Sequence, residues 1–173
     1  MVLILISLGM LFAASLLGYV LIRTRGGKSP ALGAINVPWG LCFSTLLVLA
    51  GSVTMHFAVR DVHREKLAEL RQWLLATLCI AVVFLVLQAI FLHELLALAQ
   101  NLDQSLYKLI SFMILVHALH VVGGVVSLSL VYAGARQGRY DHEHFFPVRN
   151  AALYWHFLDG VWLTMFTIFL VLR

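Results

Sequence analysis

The feature that most constrains this chain is a series of five long apolar runs separated by short charged connections. Each run is long enough to cross the hydrocarbon core of a bilayer as an α-helix, at about 1.5 Å per residue. None shows the period-2 alternation of barrel strands, and in lipid only helices and closed barrels satisfy the backbone. The sequence therefore predicts an all-α polytopic membrane protein: a single transmembrane domain, residues 1–173, forming a bundle of five helices. The spans are predicted at about 1–22, 37–59, 72–93, 109–135 and 150–172.

Composition supports lipid as the surrounding solvent. Hydrophobic residues make up 62% of the chain and charged residues only 12%, against about 25% charged in soluble domains. The basic residues flank the apolar runs and form no patch interleaved with aromatics, so nucleic acid is not an expected partner. Cys42 and Cys79 lie inside apolar runs without metal-type spacing, and we expect them to be small buried thiols.

The distribution of Lys and Arg gives a weak prediction of orientation. Positive residues are enriched in cytoplasmic loops. The first run has an apolar start and ends in a basic stretch, which favours a retained helix over a cleaved signal peptide. With the N-terminus inside, the cytoplasmic loops hold Arg60, Arg64, Lys66, Arg71, Arg136, Arg139 and Arg149, and the outer side holds Arg23, Arg25, Lys28, Lys108 and Arg173.

Ionisable residues inside the apolar runs carry most of the remaining information, because each costs about 2.5–3.5 kcal/mol to insert. His117 and His120 lie three apart in the fourth run, and His156 and Asp159 lie three apart in the fifth. Asp159 is the only acid in the middle of any run. A lone carboxylate there needs a partner, so we expect a buried His–Asp cluster bridging the fourth and fifth helices.

The residues alone leave three interpretations of these histidines open. They could hydrogen-bond the bundle together, bind haem as axial ligands, or relay protons. Gln88 is interpreted as a hydrogen-bonding group between helices, and Gly123 and Gly124 as positions where another helix approaches closely. His142 and His144 are interpreted as part of a solvated loop rather than a metal site. No nucleophile–base set, phosphate loop or zinc spacing is present.

Two stretches resemble a known family. Residues 117–123 read His-Ala-Leu-His-Val-Val-Gly, and residues 154–162 read Tyr-Trp-His-Phe-Leu-Asp-Gly-Val-Trp. They are similar to the two signature stretches of subunit III of haem–copper oxidases, in its five-helix form. Order and spacing agree from about residue 40 to the C-terminus.

The resemblance implies an accessory component of a cytochrome c oxidase-type terminal oxidase in an aerobic respiratory chain. Such a subunit packs against catalytic subunit I, which holds haem and copper, and supports its assembly, stability and proton uptake. It carries no cofactor itself, although bound phospholipid is expected in a cleft between its helices. The expected location is the bacterial inner membrane, with the N-terminus cytoplasmic and the C-terminus outside. The structural polar core within the membrane would be His117, His120, His156, Asp159 and Gln88.

The sequence also departs from the family pattern. Family glutamates correspond here to Leu8, Phe91 and Arg149, and a histidine pair is reduced to His56. These departures argue against a role in collecting protons for the catalytic subunit. They also keep two alternative complexes open, a quinol oxidase and a nitric-oxide reductase. An alternative of a different class is a stand-alone haem-b membrane cytochrome.

Overall fold

The computed structural model describes residues 2–25, 39–102, 105–140 and 145–171. They form five α-helices and, among these residues, no strand. All five helices are long and apolar enough to cross a membrane, so the prediction of an all-α polytopic membrane protein is confirmed. The connection expected at 23–38 begins inside α1, which continues to Arg25, and its remainder, 26–38, lies outside the described residues, as do His142 and His144. The helices are α1 (Val2–Arg25), α2 (Trp39–Val62), α3 (Leu67–Leu102), α4 (Ser105–Arg136) and α5 (Phe146–Val171).

The third helix extends well beyond the span predicted for it. At 36 residues it is about 54 Å long, against about 30 Å for the hydrocarbon core. A large part of its length therefore extends beyond the lipid tails. The predicted spans leave residues 94–108 between the third and fourth helices, but α3 continues to Leu102. Polar residues do not end a helix by themselves, because the backbone keeps its own hydrogen bonds in water.

A hydrogen bond joins the start of α3 to the end of α4, and the end of α4 is also closed by its own turn. The backbone of Gly138 has a φ of 67°, and the Arg139 N–H donates to the Gly134 carbonyl at 3.1 Å, which is the six-to-one bond of a Schellman helix end. Nε of Arg71 donates to the Ala135 carbonyl at 3.0 Å. The last carbonyls of α4 are thus satisfied partly by its own turn and partly by a side chain of α3.

Four helices form a closed ring and the first helix packs on its outside. Contacts join α2 to α3, α3 to α4, α4 to α5 and α5 back to α2. Among the described residues, α1 contacts only α4 and α5. One apolar cluster fills the ring around Met55 and Trp155. A second cluster joins α1 to the ring through Phe12 and Tyr19.

The two cysteines do not lie where the sequence suggested. Cys42 and Cys79 are both exposed on the bundle surface, so the expectation of buried thiols is wrong. In a membrane protein an apolar run does not distinguish the interior from the surface, because the surface faces lipid tails. The same surface carries Leu119, Leu130 and many other large apolar side chains.

Candidate functional site

The side chain of His117, on α4, lies at the centre of an aromatic cage. It is 1% exposed and stacks on the indole of Trp162, with ring centroids 5.5 Å apart and planes inclined by 30°. The rings of Phe12 and Phe84 approach it edge-on from α1 and α3. The indole N–H of Trp162 donates to Oγ1 of Thr45 at 3.3 Å, which ties this cage to α2. His117 is therefore held by rings from three neighbouring helices, α1, α3 and α5.

Asp159, on α5, is also buried, with 7% exposure. Its carboxyl group hydrogen-bonds the side chain of Ser52 on α2. Oγ of Ser52 lies 2.7 Å from Nδ1 of His156. A hydroxyl has one hydrogen to donate. An ionised carboxylate only accepts hydrogen bonds, so in that state Ser52 donates to Asp159 and accepts from the Nδ1–H of His156.

The direct partner of Asp159 is thus a hydroxyl on α2 rather than an imidazole on α4. His156 is exposed and reaches Asp159 only through Ser52. Residues three apart on a helix differ in direction by about 60°. Asp159 faces the centre of the ring, and His156 consequently lies at the edge of the α2–α5 contact.

His120 is also less central than its spacing suggested. It is partly buried, and its Nδ1 lies 2.7 Å from the carbonyl oxygen of Val116 in its own helix. Its ring meets Phe12 of α1 edge-on, at 5.7 Å between centroids. The backbone carbonyl of His120 accepts a hydrogen bond from the Tyr154 hydroxyl at 3.0 Å. His120 thus joins α4 to α1 through its ring and α4 to α5 through its carbonyl. Its imidazole does not hydrogen-bond Asp159.

Gln88, on α3, is 2% exposed, but its amide makes no hydrogen bond with any described residue. The interhelical hydrogen bond expected from it is therefore not seen. Oγ of Ser111 and the hydroxyl of Tyr19 are likewise buried without a hydrogen-bond partner among the described residues. Of the five predicted core residues, the structure brings His117 and Asp159 to the lining of one small cavity, and Gln88 is buried elsewhere on α3.

The indole of Trp155, on α5, packs between Gly51 of α2 and Gly124 of α4. A methyl group placed on Gly51 of α2 would lie 3.2 Å from Nε1 of Trp155, and one placed on Gly124 of α4 would lie 3.4 Å from its Cζ3. The Gly124 position would also crowd Leu158 and Tyr154 at 3.2 Å. Gly124 thus allows α5 to approach α4 closely, as its spacing predicted, and Gly51 does the same from α2.

Several polar contacts were not anticipated from the sequence. Oγ1 of Thr54 and Oγ1 of Thr77 lie 2.8 Å apart and join α2 to α3. Asp61, at the end of α2, is buried and accepts a hydrogen bond from Nε1 of Trp73 at 2.9 Å. Short hydroxyl side chains are common in membrane helices and give no signal of their partners. Asp61 gave no signal either, because it lies in the charged connection that follows the second predicted span.

Within the part of the chain that the structure describes, no group of three or more His, Cys, Asp or Glu side chains is arranged to hold a metal ion. Ser52, Thr54 and Asp61 of α2 instead bond side chains of neighbouring helices. Taken together, the fold and this site define a polytopic α-helical membrane protein with a small polar core built from its own helices.

A sequence model of the family described as cytochrome c oxidase subunit III matches residues 1–172. The chain belongs to this family, and the resemblance drawn from residues 117–123 and 154–162 is confirmed. The match extends over all five helices.

Individual relatives agree with the family assignment. The cytochrome c oxidase subunit 3 of Thermostichus vulcanus is 26% identical over 170 residues, covering 97% of this chain and 83% of the relative. The probable cytochrome c oxidase subunit 3 of Mycobacterium leprae is 27% identical over 166 residues, covering 95% and 82%. The cytochrome c oxidase subunit 3 of Marchantia polymorpha is 35% identical over 136 residues, covering 75% and 48%.

Proposed function

We propose that this chain is an accessory, non-catalytic subunit of a haem–copper terminal oxidase of the cytochrome c oxidase type in an aerobic respiratory chain. The observation that carries the proposal is the subunit III match over residues 1–172. In this role the chain packs against catalytic subunit I, which holds the haem and copper, and supports the assembly, stability and proton uptake of that subunit. The complex resides in a bacterial inner membrane.

The polar core supports an architectural role. Ser52, His156 and Asp159 bind one another between α2 and α5, and His117 is enclosed by rings from other helices. Such contacts fix the relative positions of the helices. We therefore propose that the polar core of His117, His120, His156, Asp159 and Gln88 shapes the bundle that subunit I recognises.

The outer side of the α2–α5 contact is the proposed face toward subunit I. His156 lies ten residues into α5, about 15 Å along the helix, yet it is exposed. His56, one turn beyond Ser52 on α2, is also exposed. Ionisable side chains at membrane depth almost always face protein or a water-filled cavity. Membrane helices of the catalytic subunit would cover both imidazoles.

A photoreactive residue at position 56 tests this face. We expect crosslinks from position 56 to subunit I. A matched photoreactive residue at Leu130, which is 69% exposed on α4, should give few such crosslinks and more adducts with lipid. The reverse pattern would show that a different face contacts the catalytic subunit.

A groove between α1 and α5 is the proposed site of a bound phospholipid chain. It has a volume of about 360 Å³ and includes Ala13 of α1 and Gly160 of α5 in an almost entirely apolar lining. Replacement of Gly160 by Leu should fill the groove and reduce the amount of lipid that copurifies with the chain. Gly18→Leu is the control, because Gly18 lies on the same helix α1 outside the groove lining and nothing lies within 4 Å of a Cβ there.

Copurification tests the proposed function directly. The tagged chain should be isolated in mild detergent from its native membrane, the accompanying proteins identified by mass spectrometry, and the absorption spectrum recorded. We expect a haem–copper catalytic subunit in the preparation, and haem bands that disappear once the chain is separated from it. Haem retained in stoichiometric amount by the separated chain would instead indicate a membrane cytochrome.

The same preparation distinguishes the alternative complexes. A catalytic subunit that oxidises cytochrome c supports the proposed type, one that oxidises quinol indicates a quinol oxidase, and one that reduces nitric oxide indicates a nitric-oxide reductase. Either of the last two outcomes keeps the accessory role and changes the complex that it serves.

A further inference from the structure

A small internal cavity lies where α2, α3, α4 and α5 meet. Its volume is about 10 Å³, which is close to the minimum that holds one water molecule. A hydrated metal ion, an organic ligand or a lipid chain does not fit. Its lining includes Val48, Ala81, Phe84, His117, Trp155 and Asp159.

Three of these side chains each carry a buried polar atom with no hydrogen-bond partner among the described residues. The atoms are Oδ2 of Asp159, Nδ1 of His117 and Nε1 of Trp155. The three residues come from two helices and are each more than nine-tenths buried. Buried polar atoms are nearly always hydrogen-bonded in folded proteins, to protein or to ordered water.

We propose that this cavity holds one ordered water molecule that bridges the three atoms. The water accepts a hydrogen bond from the indole N–H of Trp155 and donates one to Oδ2 of Asp159. Its remaining hydrogen is donated to Nδ1 of His117. A total of about three hydrogen bonds is typical of buried water. A cavity of this size lined only by apolar residues would stay dry, but three residues of this lining each carry a buried polar atom without a partner among the described residues.

The water completes a hydrogen-bonded chain through the bundle. The chain starts at His156 on α5, passes through Ser52 on α2 to Asp159, and continues through the water to His117 on α4. The direct cluster predicted between Asp159 and the α4 histidines is thus replaced by a water-mediated one. This inference does not depend on which complex the protein serves.

A high-resolution cryo-EM map tests the proposal on the protein purified from its native membrane with its accompanying subunits. We expect a density peak within hydrogen-bonding distance of Oδ2 of Asp159, Nδ1 of His117 and Nε1 of Trp155. A map that resolves other buried waters but shows no peak at this place would overturn the proposal.

A cavity-filling variant gives a second, independent test. Ala81→Val puts two methyl groups on a residue that lines the cavity and should displace the water, leaving three polar atoms without partners. We expect its melting temperature to fall by roughly 2–4 °C and the density peak to vanish. The control is Ala89→Val on the exposed side of the same helix, which should leave both unchanged. An Ala81→Val protein that melts at the same or a higher temperature would mean that the cavity is dry.

Discussion

The hydroxyl oxygen of Ser52 on α2 lies 2.7 Å from Nδ1 of His156 on α5. The two residues are 104 positions apart in the sequence, and the same hydroxyl also binds the buried carboxyl group of Asp159. One small side chain therefore satisfies two ionisable groups at once. Helix α5 is fixed against α2 by this bridge as well as by apolar packing.

Replacing Ser52 by Ala should destabilise the bundle. The change leaves the carboxylate of Asp159 buried without its donor, which costs about 1–3 kcal/mol of unfolding free energy. Unfolding in detergent, followed by circular dichroism, measures the difference. The control is Ser129→Ala on α4, because the Ser129 hydroxyl is exposed and bonds only to the Val125 carbonyl of its own helix. That control should change stability by less than about 0.5 kcal/mol. Equal effects of both variants would contradict the bridge.

Replacing Gly124 by Val should separate α4 from α5. A Cβ at this position already lies 3.2 Å from side-chain atoms of Leu158 and Tyr154, and the added methyl groups have no room. Overpacking of this kind costs about 1–3 kcal/mol. Thermal unfolding of the purified protein measures the loss. Gly18→Val serves as the control, since a Cβ there meets nothing within 4 Å. A Gly124 variant as stable as the Gly18 variant would show that the close approach is dispensable.

Replacing Asp61 by Ala should be far more costly than replacing Glu69. The Asp61 side chain is 4% exposed, lies 3.3 Å from Nε of Arg60 and accepts the indole N–H of Trp73. Its loss leaves the indole N–H of Trp73, which is partly buried, without its acceptor, at about 1–3 kcal/mol. Glu69 instead pairs with Lys66 at 3.4 Å on the surface, where such pairs contribute at most about 1 kcal/mol. Denaturant titration of the two variants compares them directly. A larger loss for Glu69→Ala would refute the structural role given to Asp61.

The proposed orientation predicts which ends of the helices are reached from the cytoplasm. Single cysteines at Arg64 and Lys108, in a protein with Cys42 and Cys79 replaced by Ala, should report opposite sides. A membrane-impermeant maleimide added to intact cells, or to spheroplasts, should label position 108, and label position 64 only after the membrane is opened. Labelling in the reverse order would place the N-terminus outside.

The number and type of the helices could be predicted because apolar length is a strong signal in a membrane protein. The ends of α3 could not, since a long helix continues into water without any change in the pattern that identified its span. Burial was similarly hard to predict. Cys42 and Cys79 are exposed because lipid-facing and inward-facing positions are both apolar.

The site was predictable in its members but not in its contacts. His117 and Asp159 stand out in the sequence because ionisable groups are rare in apolar runs, and both are buried. Ser52 does not stand out, because a serine is tolerated anywhere in a membrane helix. The identity of a hydrogen-bond partner depends on helix rotation and pairing, and the spacing of residues within one helix contains no information on either.

The position of α1 has a consequence for the order in which the protein is built. Among the described residues, α1 touches only α4 and α5, which follow it in the sequence after α2 and α3. Phe12 meets His117 and His120, and Tyr19 meets Phe169 near the other end of the chain. Helix α1 therefore has neither of these neighbours until α2 and α3 have been synthesised and α4 and α5 have followed, so its docking comes late in the folding of these five helices.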